Sequence, residues 1–362
     1  MKSATLSVDE NHQTTSLSQR YRRFVIKRIL LLSMMAIALV IAWVIDTTTG
    51  PSQIGLNHIF SALFQPEVLD PVQQVIIFDV RIPYALMAIV VGAALGLAGA
   101  EMQTSLNNPL ASPFTLGIGA AATLGAAVAI LFDWSWLPFR FDYILPLFAF
   151  AFAFAFALLA SLLVVVLSRS QGASVNTVIL FGISLFFALN ALVSLLMFVA
   201  DSNALQQIVF WTMGSLVRAN NEKVLIVALV FAVCFPLSMR QAWAMTAIRS
   251  GEDQARSIGI RVERMRLMVL LRVSLLTAVA VAFVGEIGFV GLVGPHITRM
   301  LLGEDHRFFL PGSAIAGALL LSLASIASKS LIPGVILPIG IVTSLIGIPF
   351  FMSLILSSKG EL

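Results

Sequence analysis

Long apolar runs broken by short polar stretches dominate the chain. They lie at about 26–45, 82–103, 113–132, 143–167, 175–199, 222–239, 266–285, 287–302, 309–328 and 335–356. At a rise of ~1.5 Å per residue, ~20 apolar residues in a helix cross a hydrocarbon core of ~30 Å. The pattern predicts ten transmembrane helices. The weakest is 287–302, which is short and interrupted by Gly288, Gly291, Gly294 and Pro295. Helices also satisfy the demand that lipid-exposed backbone pair its own polar groups. Residues 148–158 read FAFAFAFAFAL, a period of two that would suit a strand. A membrane strand needs only ~10 residues and this apolar run is far longer, so length decides for a helix. Its alternation would put Phe on all sides, as in a lipid-facing segment. The fold class is therefore all-α: a polar tail over 1–25, then one polytopic ten-helix domain over 26–358.

Composition agrees. The 362 residues are 59% hydrophobic and 11% charged, with a mean hydropathy of +0.98; soluble domains are roughly half apolar and a quarter charged. The net charge of +4 does not point to nucleic acid, because the basic residues sit between apolar runs rather than on one patch. A signal peptide would start its apolar core earlier and end in small residues, so 26–45 reads as an uncleaved helix with a cytoplasmic N-terminus. Under ten spans, only Arg81, Arg140, Arg218, Lys223 and Lys329 of the 22 basic residues fall outside. That bias predicts a multi-pass membrane protein with both termini cytoplasmic. A single cysteine, Cys234, excludes an intrachain disulfide and a cysteine-based metal site.

Candidate chemistry is sparse. No stretch matches G-x-x-x-x-G-K-[ST], and no H-E-x-x-H occurs. The histidines are scattered; for His296 and His306, ten residues apart, capping or loop packing is preferred to a metal site. Neither a catalytic residue nor a metal site is expected. Glu101 is the one acid we place within a span, bonding neighbours such as Gln103 or Thr104, while Glu286 sits at a helix boundary. A secondary transporter would carry a midplane ion site or relay, so energy supplied by another chain is the leading reading and ion coupling the alternative. Two loops stand out: 200–221, a short amphipathic external helix ending near Gly214, and 240–265, the densest charge in the chain. In the latter a short helix over 252–258 stops at Gly259. It is either a lever seated in a partner or a solvated positive loop. At the external mouth, Arg81 and Lys329 either dock an acidic partner or snorkel.

Several long motifs in order carry a resemblance. RIPYALMAIVVGAALGLAGAEMQTSLNNPLASPFTLGIGA at 81–120, WTMGSL at 211–216, GEDQARSIGI at 251–260, GEIGFVGLVGPHITRMLLGEDHRFFLPG at 285–312 and LPIGIVTSLIGIPFF at 337–351 resemble the FecCD-type permeases. These are membrane subunits of bacterial ABC importers for ferric siderophores, haem and vitamin B12. The resemblance implies ten helices per subunit in the vitamin B12-permease fold. It implies a second permease subunit, identical or paralogous, and two ABC ATPase subunits that use ATP and Mg, with no cofactor on this chain. It also implies a periplasmic or lipid-anchored substrate-binding protein.

By position, Glu252, Asp253, Arg256 and Gly259 become the ATPase-coupling candidates. Arg81 and Lys329 become docking candidates, although the family's second external Arg is Tyr84 here. Gln103, Asn107, Asn108, Pro109, Gly294, Pro295 and His296 belong to the pathway and structural motifs. The chain departs from the pattern at Asn107, where the family has Arg, at SIASKS 325–330, and at Ile336. A ferric siderophore is the expected cargo, with haem or vitamin B12 as alternatives.

Overall fold

The computed structural model describes residues 17–50, 55, 70–132, 141–171 and 175–358. Residues 1–16 of the tail, with Lys2, and also Arg140 and Lys359 lie outside them. Among the described residues all regular structure is helical. The longer helices are α1 (Leu17–Thr48), α2 (Pro71–Ser105), α3 (Ile118–Leu131), α4 (Phe141–Gln171) and α5 (Val175–Val199), then α6 (Ser202–Thr212) and α7 (Asn221–Arg240). They are followed by α8 (Ala242–Ser250), α9 (Glu252–Ser257), α10 (Val262–Val284), α11 (Val290–Leu302), α12 (His306–Ser330) and α13 (Ile339–Ser358). Each of the ten expected spans coincides with a helix. Six, in α1, α2, α5, α7, α10 and α12, are long and apolar enough to cross a membrane, and α3, α4 and α13 supply shorter apolar stretches. The doubtful 287–302 run forms a helix of only 13 residues, α11. At ~1.5 Å per residue it covers ~20 Å and begins inside the bundle rather than at its edge.

Helix α2 is the centre of the fold: Val91 to Ser105 is buried without interruption. Pro71 occupies its first turn, and Asp70 caps it by accepting from Val72 N at 3.4 Å. Pro83 has no N–H to donate, and the preceding turn, Ile76–Arg81, widens to π geometry. That extra residue per turn rotates Arg81 into the bundle. Gly92, Gly96 and Gly99 then let the backbones touch, as expected for small residues between membrane helices. A methyl on Gly92 would stand 2.5 Å from the Gly317 carbonyl oxygen of α12, and one on Gly96 or Gly99 would overlap the carbonyls of Ser313 and Gly291.

The alternating segment is helical, but its Phe residues do not simply face lipid. Ala149 and Ala153 are buried and pack as a small-residue stripe, with the Phe148 carbonyl against Gly125 of α3. Phe150 and Phe154 flank one side against the main core; Phe152 and Phe156 flank the other. With side chains 100° apart around a helix, residues i and i+4 share a face. Two alanines suffice for close approach while the aromatic rings fill the gaps beside them.

Exposed apolar side chains cover the outside, with Phe198 at 86%, Phe187 at 67% and Leu345 at 65%. Charged residues collect instead at two poles of the bundle, one around the ends of α1 and α12 (Asp46, Arg81, Lys329) and one around α8, α9 and the α11–α12 turn.

Candidate functional site

At the second pole, α8 and α9 form one compact segment between α7 and α10. Gly251 (φ 142°) turns the chain between them and Gly259 (φ 87°) ends α9, both in conformations that favour glycine. Neither has neighbours within 4 Å, so backbone geometry, not packing, selects glycine there. Glu252, Asp253, Arg256 and Gly259 are brought together as the sequence suggests, but they divide the work. Arg256 Nη2 pairs with Glu252 at 3.3 Å and with Glu263 at 2.8 Å, and its Nη1 reaches Asp253 at 3.3 Å. Glu252 is also paired with Arg266, whose Nε donates to the Ser105 carbonyl at 3.1 Å. Glu252 and Arg256 therefore fasten α9 to the ends of α10 and α2. Ala255 is buried beneath α9, while Asp253, Gln254, Ser257 and Ile258 point outward. That outward face also carries the apolar Ile258, 51% exposed, which the charge pattern did not single out.

A second network fastens α8. Arg249 pairs with Glu304 at 2.9 Å and donates to Asn107 Oδ1. Glu304 also pairs with Arg299 at 2.9 Å, and Arg299 Nη2 donates to Gln103 Oε1 at 2.8 Å. Burial alone would push the Glu304 carboxyl up, but the Arg249 hydrogen bond and the charges of Arg249 and Arg299 outweigh it and hold it below the ordinary value. Asn107 has φ 45°; Asn tolerates this left-handed conformation better than Arg would. Asn108 Oδ1 accepts from Leu110 N at 2.9 Å, which with Pro109 sets the turn after α2. Gln103 and Asn107 thus belong to this anchoring network, while Asn108 and Pro109 shape the turn beside it.

His306 is buried with Thr104 Oγ1 2.7 Å from Nε2 and Thr246 Oγ1 3.1 Å from Nδ1, bridging α2, α8 and α12. The two hydroxyls thus occupy both ring nitrogens; among the described residues no group of three His, Cys, Asp or Glu is placed to hold a metal. His296 lies apart, edge-to-face with Phe350 of α13 at 5.9 Å, and the Gly294–Pro295 step lets α11 approach Gly317 of α12.

Two expectations are corrected. Glu101 bonds neither Gln103 nor Thr104. It accepts from Arg272 of α10 at 2.8–3.2 Å, and Arg272 Nη1 donates to Gln241 Oε1 at 2.8 Å. Arg272, assigned above to the cytoplasmic segments, is thus a buried partner inside the bundle. Arg81 and Lys329 do converge at one pole, but they face inward. Arg81 is 6% exposed and donates to the carbonyls of Thr47 and Thr48 at 3.1 and 2.8 Å. Lys329 is paired with buried Asp46 at 2.6 Å and lies 4.8 Å from the Tyr84 ring centroid. Ser325 Oγ also donates to Asp46 at 2.7 Å. Sequence reasoning missed Asp46 because it sits at the edge of an apolar run. Arg218, in the loop between α6 and α7, is by contrast exposed.

At the break between α10 and α11, three backbone bonds tie distant turns. Ser215 N donates to Val284 O at 2.6 Å, Ile339 N to Gly214 O at 3.1 Å and Gly340 N to Met213 O at 3.0 Å. Gly214 (φ 68°) ends the external amphipathic helix α6 where the sequence places its stop.

The profile of the FecCD transport family matches residues 38–357. A Methanocaldococcus jannaschii protein named as an ABC transporter permease is 36% identical over 93% of this chain and 97% of its own length. The hemin transport system permease protein of Yersinia pestis is 34% identical over 78% of this chain and 84% of its own. A solved structure described as an inward-facing conformation of a metal-chelate type ABC transporter superposes with a TM-score of 0.77 at 33% identity. That superposition covers 90% of this chain and 99% of the other.

Proposed function

We propose that this chain, which belongs to the FecCD transport family and is the permease subunit of an ABC importer, carries a ferric siderophore into the cytoplasm. The cargo arrives on a separate substrate-binding protein and passes between this subunit and a second permease, identical or paralogous. ATP and Mg are used by two ATPase subunits below, because this sequence contains no nucleotide-cradling P-loop. Both termini are cytoplasmic, which puts the α8–α9 pole on the ATPase side. Hemin and metal-chelate transport by similar proteins supports a chelated metal as cargo.

The anchoring of α8 and α9 is the observation that carries the reading. Arg266 ties α9 to α2, and Arg249, Arg299 and Glu304 tie α8 to α2, α11 and α12. A segment held at so many points moves with the bundle as a rigid body. Closure of the ATPase pair pushes on Asp253, Gln254, Ser257 and Ile258, and the push reaches the spans rather than bending the loop. Asp253→Arg combined with Ile258→Glu is expected to cut ATP-driven uptake by at least ~10-fold, the loss of a few kcal/mol of docking energy, with membrane insertion unchanged. Uptake at the wild-type rate would sink the coupling assignment. Transport in liposomes driven by a proton gradient with no ATPase subunit would favour an ion-coupled carrier instead. Co-purification of the binding protein, followed by identification of its ligand, tests the cargo.

A further inference from the structure

A cleft of about 580 Å³ opens on the bundle where α6 ends, α10 and α11 break, and α13 begins. Its walls are mostly apolar, with Ser112, Thr212, Ser344 and Glu286 as polar interruptions. Glu286 is unlike every other described acid near the core. Asp46 and Glu101 are each paired with a cation, whereas no hydrogen bond or ion pair reaches the Glu286 carboxylate among the described residues.

Its depth makes this informative. Along α11, nine residues separate Val290 from Arg299 of the charged pole, ~14 Å at the helical rise. Glu286, four residues before Val290, therefore lies well inside an apolar core of ~30 Å. Ionisable groups at that depth face a bundle interior or a water-filled cavity, not lipid. Non-helical backbone at membrane depth obeys the same rule, and 285–289 is non-helical, with Gly285 at φ 76° and Phe289 at φ 66°. Two independent features thus say that this cleft faces the bundle interior or a passage through it rather than lipid. The carboxylate also has a favourable electrostatic neighbour. Glu286 Oε1 lies over the first turn of α3, 2.8 Å from where a Gly119 methyl would be. A helix N-terminus favours negative charge, and Gly119 leaves room for it.

We propose that Glu286 is a cargo-facing carboxylate of the translocation path, selecting neutral or cationic chelates and opposing anionic ones. The proposal rests on the importer reading above and refines its cargo. A ferric trishydroxamate bearing an ammonium arm carries net positive charge, whereas a ferric tris-catecholate is a trianion. In a narrow low-dielectric passage, a fixed negative charge raises the local concentration of the first and excludes the second. A carboxylate without a permanent partner also suits a path that must release what it admits, since a tight, fully paired site would hold its cargo.

The test uses the full-length permease in membrane vesicles. Ser344→Cys places a thiol in the same cleft, in a Cys234→Ser background. It is labelled with a cationic and with an anionic methanethiosulfonate reagent. Relative to the rates of the same reagents with a small thiol in solution, the cationic reagent is expected to gain ~10-fold over the anionic one, and adding Glu286→Gln should bring this normalised ratio near one. Glu286→Asp should keep the preference, which separates charge from any packing defect. No labelling at Ser344→Cys by either reagent would mean that the cleft faces lipid, and a ratio unaffected by Glu286→Gln would assign the preference to another group; either result overturns the proposal. In the complete importer, Glu286→Gln should narrow the preference for the ammonium-bearing ferric trishydroxamate over the ferric tris-catecholate by a similar factor. Transport of neither chelate by the wild-type importer would refute the siderophore cargo alone, because the labelling ratios do not depend on the cargo.

Discussion

Replacing Arg272 by Met tests how the centre of this bundle is held. Arg272 Nε and Nη2 donate to both oxygens of Glu101, and its Nη1 reaches Gln241. Glu101 is completely buried, so after the substitution its charge has neither a cation nor water beside it. Breaking a buried pair by removing one partner costs about 3–5 kcal/mol, most of it the stranded charge. Met fills the aliphatic volume, so little of the loss comes from a cavity. The companion Glu101→Gln/Arg272→Met removes both charges and should recover most of the loss, since an apolar replacement of a buried pair is often nearly neutral. Arg272→Lys should fall between, because an ammonium cannot hold two carboxylate oxygens and Gln241 in one plane. Equilibrium unfolding in mixed detergent micelles, run as a double-mutant cycle, gives the coupling directly. If Arg272→Met costs less than ~1 kcal/mol, or the double variant is no better than the single one, the pair is not what holds α2 to α10.

Other outcomes follow from the same geometry. Gly99→Val should prevent correct assembly, seen as loss of the monodisperse peak in detergent, because a side chain there collides with the Gly291 backbone of α11; wild-type behaviour would mean that α2 and α11 can separate freely. Arg81→Glu should lower stability before it affects binding-protein docking, since it turns a donor to Thr47 and Thr48 into a repelled acid. Arg218→Glu should instead weaken docking at low salt with stability intact; the reverse pattern would restore Arg81 as the docking cation. For Glu304 the sign is that of a carboxyl lowered on folding. Its contribution is complete above the ordinary glutamate pKa of ~4.3 and is lost as pH falls through the lower folded value. Glu304→Gln should therefore flatten the fall in thermal stability as pH drops below ~4.3; an unchanged pH profile would remove Glu304 from the anchoring network.

Much of the protein was legible in its sequence. The ten helices were, because the cost of placing a segment in lipid depends on its own contiguous residues. So were Gly214 and Gly259 as helix stops, and the glycines of α2 as points of close approach, since backbone freedom and side-chain size are properties of single residues. Even α9 was visible as a short charged helix between two glycines.

Only the tertiary structure decided where charges point and whom they meet. Arg81 and Lys329 read as external cations, yet a π turn and the packing of α1 against α12 turn both inward onto Asp46 and the end of α1. Glu101 and Arg272 are 171 residues apart, and no local pattern announces their bond. The same holds for Glu286, a boundary residue in sequence that the short α11 places deep within the bundle. Membrane insertion sums over neighbours along the chain, whereas ion pairing depends on helix rotation and depth, which are set by contacts between segments far apart in it.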